Sequence, residues 1–353
     1  MLFCPEFVKF ERSVENDENF TITHVSWEKL GDKLEELSHK INIERLYFDP
    51  GTTTAADFRI LGKAFGLEKL KEKEKGITEL HATKNDVEIS EMEKAFSRSA
   101  KVIKKIIDHV STQAQSGMSE LDFYNTANKF YQEEGALALS FKTISGIGAN
   151  SSIIHFGSPS QEVKIKNGDL ALLDSGAFYE SGLATDCTRA FLPIGEANDD
   201  QKKIYTLVLK GLLHALNGVF PEGAPGCYLD SLAREPIRAM GYDYAHGTGH
   251  GIGINVHEPG YRLTPFSQTP LVPGRVGSIE PGIYIPNFGG VRLENVVVVE
   301  KHPEFKGMCR VRSLIYLGFM PNLIDENLMS EQEKGWLAAY EAECKKRNTS
   351  FLN

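Results

Sequence analysis

The sequence predicts an α+β protein preceded by a small α/β unit. Two patterns predict it. Across roughly the first 80 residues, strand-like pieces (FTITHVSW, RLYFDPG) alternate with helical ones (WEKLGDKLEELSHKI, ADFRILGKAFGLEKLKEKEKG). Beyond them, paired helices are followed by paired strands, twice over, which is how helices segregate from antiparallel sheet. The charged KLKEKEKG run reads as a solvated helix end and marks a boundary. The expected division is a small, shortened N-terminal domain at 1–79 and a larger domain at 80–353.

Each element has its own signal. Asn85 or Asp86 can cap a helix whose apolar stripe is Val87, Met92, Phe96, Val102, Ile103, Ile106, Ile107 and Val110. Ser119 opens a second helix with S-E-L-D, a capping-box variant. Its expected stripe is Leu121, Tyr124, Ala127, Asn128 and Tyr131, ending at Gly135. DLALLDSGAFY and LATDCTRAFLPI then read as a hairpin around Glu180, Ser181 and Gly182. A third helix is expected over Asp199 to Asn217, with His214 structural among its leucines. A fourth spans about Tyr228 to Met240, with Pro236 as a kink point. VGSIEPGIYI and GGVRLENVVVVE form a second hairpin around Pro286 to Gly289, RVRSLIYLG a further strand, and MSEQEKGWLAAYEAECKK a packed terminal helix.

Composition narrows the function classes. The chain has 353 residues, 41% hydrophobic and 25% charged, with a formal net charge of -9. That balance argues against nucleic acid, because phosphate binding needs a basic face. No run approaches the length needed to cross a bilayer, so no membrane partner is expected. The opening MLFCPEFVKFERSVEN lacks a basic stretch followed by an apolar one, so no signal peptide is read. Cys4, Cys187, Cys227, Cys309 and Cys344 show no C-x-x-C pairing and read as packing thiols. The expected compartment is reduced and cytoplasmic.

The chemistry lies on the two hairpins. Each carries one carboxylate per strand: Asp174 with Asp186, and Glu280 with Glu294. A carboxylate among apolar strand neighbours is costly to bury unless a cation accompanies it. Four together would repel one another, and metal, in more than one ion, is the natural remedy. HGTGHGIGINVHEPG adds His246, His250 and His257 within twelve residues. Its glycines exclude a helical H-E-x-x-H site and suit strand and loop. His155, in SSIIHFGSPS, follows an apolar strand-like piece and is a fourth candidate.

These residues stand in D-S-G-A-x-Y, T-D-x-T-R, H-G-T-G-H-G-I-G, V-H-E, I-E-P-G-x-Y and G-V-R-x-E-N. In that order they resemble the family of prolidases, aminopeptidases P and methionine aminopeptidases, over about residues 80 to 345. The resemblance implies the pita-bread metallopeptidase fold with pseudo-twofold halves. It implies a dinuclear metallo-aminopeptidase that hydrolyses the Xaa-Pro bond at the N-terminus of peptides with proline in second position. The implied metal ligands are Asp174, Asp186, His250, Glu280 and Glu294, with Asp186 and Glu294 bridging. A hydroxide between the ions would be the nucleophile and Glu280 its general base. His257 would stabilise the tetrahedral intermediate or shuttle a proton. His155, His246 and His257 would bind substrate, with His155, His257 and Glu280 as the catalytic set. Arg292 would orient the carboxylates, and Tyr284 and Arg189 are further supporting candidates. The donor set is hard and favours two Mn(II) ions, with Co(II) or Zn(II) as substitutes. The family suggests a homodimer.

SFKTISGIGANSSIIHFGSPS and RLENVVVVE look most like aminopeptidase P, which is favoured over a prolidase. A non-catalytic binding relative is the third reading, and the complete ligand set argues against it. Two departures stand out. The Asp174 to Asp186 spacing is one residue longer than the family's, so a bulge or longer turn near Glu180 must absorb it. The N-terminal unit is shorter than the family's usual domain.

Overall fold

A computed structural model describes residues 2–4, by backbone alone, and 22–352. The remainder of MLFCPEFVKFERSVEN and the start of FTITHVSW lie outside the described residues. The chain divides into two compact units, Met1–Leu80 and His81–Asn353.

In the first unit, β1 (Leu2–Cys4) pairs in parallel with β2 (Ile22–His24). Helix α1 (Trp27–Lys40) follows, then β3 (Leu46–Phe48), α2 (Ala55–Phe65) and β4 (Leu70–Glu72); α3 (Gly76–Ala82) spans the boundary between the units. The helix expected through KLKEKEKG is not continuous. Gly66, at φ 92°, ends α2, and Leu70–Glu72 pairs in parallel with β3 while Leu70 is buried. A glycine in that conformation costs nothing, and the ladder bonds then outcompete helical propensity.

The second unit opens with α4 (Asp86–Gln113), capped by Asn85 and Glu88 in a capping box. Met92, Phe96, Ile103, Ile106 and Val110 are buried, but Val87, in the first turn, is 72% exposed. Helix α5 (Glu120–Glu133) starts on the Ser119–Asp122 box. Its buried face is Phe123, Ala127, Phe130 and Tyr131, so the expected stripe was rotated: Leu121, Tyr124 and Asn128 form a half-buried flank. Strands β5 (Ala138–Leu139), β6 (Ile144–Ile147), β7 (Ala171–Ser175), β8 (Ala177–Phe178) and β9 (Cys187–Phe191) follow. β6, β7 and β9 form an antiparallel sheet in that order.

The pattern then recurs. Helices α6 (Asp199–Leu216) and α7 (Cys227–Arg238, with Pro236 near its end) flank β10 (Val219–Pro221). Next come β11 (Gly249–Gly251), β12 (Glu258–Leu263), β13 (Val276–Ile279), β14 (Gly282–Ile285), β15 (Gly289–Arg292), β16 (Asn295–Lys301) and β17 (Met308–Ser313). They form a sheet in the order β10-β17-β16-β13-β11-β12, with β14–β15 as a separate hairpin. Helix α8 (Glu331–Lys346) closes the chain. The VVVV run of β16 serves two cores. Val296 and Val298 join the core that contains α4 and α5, and Val297 and Val299 join the one that contains α6 and α7. A strand covered on both faces has no use for a polar alternate.

Candidate metal centre

Both hairpins keep one register throughout. In the first, Asp174 lies opposite Thr188, and the same register continues to the Phe178–Ala184 bridge. The extra residue between Asp174 and Asp186 therefore sits in the turn between that bridge's partners, where Gly182 adopts φ 69°, and not in a bulge. Asp186 and Thr188 share a strand face by alternation. Gly176 lets the strands close here, since a Cβ would stand 1.8 Å from the Thr185 carbonyl oxygen.

In the second hairpin, β13–β16 and β14–β15 share one register, broken only at Glu280–Pro281 and Leu293–Glu294. Glu280 and Glu294 thus face each other at the break. The hairpins are joined there: Glu294 N–H donates to the Thr188 carbonyl at 3.1 Å, and Thr188 Oγ1 donates to Glu294 Oε2 at 2.9 Å.

β11 brings His250 to the same point. Its Nδ1 lies 3.1 Å from the Gly251 carbonyl, and its Nε2 lies 3.5 Å from both Asp186 Oδ2 and Glu280 Oε1. A carbonyl only accepts, so Nδ1 carries the proton and Nε2 turns its lone pair to the carboxylates. One ligand atom from each of Asp186, His250 and Glu294 lies within 4.8 Å of the others.

Charge is unbalanced. Arg292 Nη2 holds Asp174 Oδ2 at 2.7 Å, while its Nε donates to Thr188 at 3.0 Å and lies 3.9 Å from Glu280 Oε2. Among the described residues, Asp174 Oδ1 and Glu294 Oε1 are buried without a hydrogen-bond partner. Burial raises Asp186 well above the carboxylate range, reinforced by the charges of Glu294, Asp174 and Glu280. Burial does the same to Glu294, and it pushes Glu280 up to about 8 despite Arg292. Orphaned oxygens in a self-repelling carboxylate cluster, with one imidazole lone pair among them, fit divalent cations.

The other histidines surround this point. The His257 ring meets His250 edge-on at 4.0 Å, and burial lowers its pKa. His246 Nε2 meets Tyr284 Oη at 2.8 Å, and Tyr284 Oη accepts from Arg292 Nη1 at 2.9 Å. Burial lowers His246 to about 4, and His155 contributes to that lowering and to that of His257. His155 itself is exposed, in a turn. The strand expected before it is instead a 3₁₀ helix, Gly148–Ser152, because the Ser151 and Ser152 hydroxyls bond back to the Gly148 and Ala149 carbonyls. Arg189 bonds the Thr188 and Leu317 carbonyls and Asn295, and so braces the strands beneath the cluster. Cys187 is fully buried, its Sγ 3.4 Å from the Glu294 carbonyl and its thiol pushed up to about 12 by burial. His214 is structural, 2.7 Å from Glu333 Oε1 and edge-on to Trp336. Thr188 and Ser278, which donates to Glu280 at 3.1 Å and accepts from His250 N–H, were not anticipated.

A family model, metallopeptidase family M24, matches residues 90–301. The chain belongs to this family. It is 37% identical over 287 residues to a "Probable Xaa-Pro aminopeptidase P" of Metarhizium acridum, covering 77% of this chain and 46% of that protein. A protein of the same name from Sclerotinia sclerotiorum is 34% identical over 357 residues, covering 96% and 58%. The chain thus spans about half the length of the curated relatives it matches. The structure resembles the X-prolyl aminopeptidase of Caenorhabditis elegans, described as a cytosolic enzyme with a di-nuclear active site (TM-score 0.82, 25% identity, 96% of this chain and 56% of that one). It also resembles a prolidase from Pyrococcus furiosus (TM-score 0.68, 28% identity, 88% and 83%). As an M24 member the chain has the pita-bread fold that the motifs implied. Among the described residues, no helix is long and apolar enough to cross a membrane.

Proposed function

We propose that this chain is a cytoplasmic, two-metal Xaa-Pro aminopeptidase. The observation that carries the reading is the pair of orphaned oxygens, Asp174 Oδ1 and Glu294 Oε1, inside a four-carboxylate cluster served by one guanidinium. Asp174, Asp186, His250, Glu280 and Glu294 would hold two divalent ions. Their hardness favours Mn(II), with Co(II) or Zn(II) able to substitute. When bound, the ions lower the pKa of a water and polarise the scissile carbonyl.

The chain's own groups do the rest. Glu280 takes the proton of the attacking water and returns it toward the leaving proline nitrogen. His257, with a lowered pKa, is neutral at pH 7 and can donate one N–H to the carbonyl oxygen as charge develops there. His155 and His246 line the approach and bind the substrate backbone, and Arg292 holds Asp174 in its orientation. The proline preference and the cytoplasmic location are supported by what the similar proteins are called, and a homodimer by family resemblance alone.

The second reading is a dipeptidase, favoured by the prolidase likeness. Hydrolysis of Xaa-Pro against Xaa-Pro-Xaa peptides with Mn(II) separates the two, and cleavage confined to dipeptides overturns the first. Glu280→Ala is expected to cut turnover by about 1000-fold or more, and a near-native rate in that variant refutes its role.

A further inference from the structure

Residues 252–257 join β11 to β12 and end on His257. Glu258 follows at once and turns the other way, into the protein, where it is 8% exposed. Its Oε2 lies 2.7 Å from Lys84 Nζ, with the two side chains 5% and 4% exposed. Its Oε1 accepts the Asn255 N–H, from within the same loop, at 3.1 Å. Lys84 is itself anchored: Nζ donates to the His81 carbonyl at 2.6 Å, and its backbone N–H donates to Gly274 at 2.8 Å. Gly253 leaves room for the pair, since a Cβ there would stand 2.3 Å from Glu258 Oε2 and 2.6 Å from Lys84 Nζ.

A buried ion pair is a poor way to gain stability, because desolvation offsets the attraction and an apolar pair of similar volume does as well. What it does supply is direction. Glu258 holds the loop's Asn255 N–H on one carboxylate oxygen and the Lys84 ammonium, just ahead of α4, on the other, and His257, one residue earlier, is left facing His250 at 4.0 Å.

We propose that Lys84 and Glu258 are positioning residues that set where His257 stands and thereby set the rate of the step His257 serves. The proposal rests on the role given to His257 above. Both side chains are buried, so they act through His257 and not on a substrate directly.

The test uses the full chain with Mn(II), as Lys84→Met/Glu258→Leu and, separately, Glu258→Gln. The readouts are amide exchange over residues 252–258 by mass spectrometry, and kcat and KM on an Xaa-Pro-Xaa peptide. The double variant should fold and exchange faster in that segment alone, with kcat down about 10- to 100-fold and KM within about twofold, the cost of a misplaced group. Glu258→Gln should recover most of kcat, since its amide oxygen can still accept from Lys84 or Asn255. Unchanged exchange, or a double-variant kcat within about twofold of wild type, overturns the proposal. If the double variant does not fold, exchange in Lys84→Met decides, since it removes the anchoring ammonium, and wild-type protection over residues 252–258 in that variant overturns the proposal. If the unmodified protein cleaves no proline peptide, the aminopeptidase reading falls, while the exchange measurement still decides whether the pair holds the loop.

Discussion

Thr188 stands where the two hairpins meet, and one hydroxyl serves both. It accepts from Arg292 Nε and donates to Glu294 Oε2, so it fixes the guanidinium and a carboxylate at once. Thr188→Val keeps the shape and removes both bonds. Mn(II) affinity, measured by calorimetric titration, is expected to fall about 10- to 100-fold, as when a ligand loses its hydrogen-bonded support. The carboxylates also make a pH prediction. Glu280 is raised from 4.5 to about 8 in the ion-free protein, so the folded state binds its proton more tightly than the unfolded one. That contribution is full below the unfolded value and is lost as pH rises through the folded value. Melting of the chelated protein should therefore shift to lower temperature as pH rises from 6.5 through about 8. The Mn(II)-loaded protein should not show the shift. The candidate ligands were legible because a carboxylate in an apolar strand is an anomaly. Thr188 was not, because threonine is an ordinary strand residue and only its cross-strand place opposite Asp174 gives it meaning.

At the level of elements, caps and turns were read more surely than faces. Asn85 and Ser119, both read from the sequence, each close a capping box, which is a local interaction spelled out within four residues; Asn198 closes another that was not read. The face of α5 was half read because Ala127 and Tyr131 extend at helical spacing to Phe123 and Phe130 as well as to Leu121 and Tyr124, and only tertiary packing selects between the two sets. The end of α2 was missed because β3, distant in sequence, recruits Leu70–Glu72. The first hairpin's aim depends on its uniform register, and Gly176 maintains it. Gly176→Ala drives a Cβ into backbone and should cost about 3 kcal/mol or more in urea unfolding, the upper range for forced contacts. A wild-type midpoint would show that the strands can part here without penalty.

Across the whole molecule, two helix-backed sheets meet at a cluster of carboxylates whose mutual repulsion the proposed cations would offset. Ligands that bind only the folded state stabilise it by about 2.7 kcal/mol at a hundredfold excess over Kd. Chelation should therefore lower the melting temperature by about 5 °C or more, with full recovery on Mn(II) addition. A melting temperature indifferent to chelator would mean that the fold tolerates its own repulsion. The duplicated helix-and-hairpin plan was visible in the order of motifs. The two cores sharing β16 were not, since an unbroken valine run says that both faces are covered without saying by what.

Cys187 makes the same junction a clock. Its thiol is inaccessible, stays protonated at neutral pH, and packs against the Glu294 backbone that binds one hairpin to the other. An alkylating reagent needs a thiolate it can reach, so covalent capture of Cys187 advances only when the hairpins separate. Each labelled molecule then records one excursion of the metal centre, timed without any substrate.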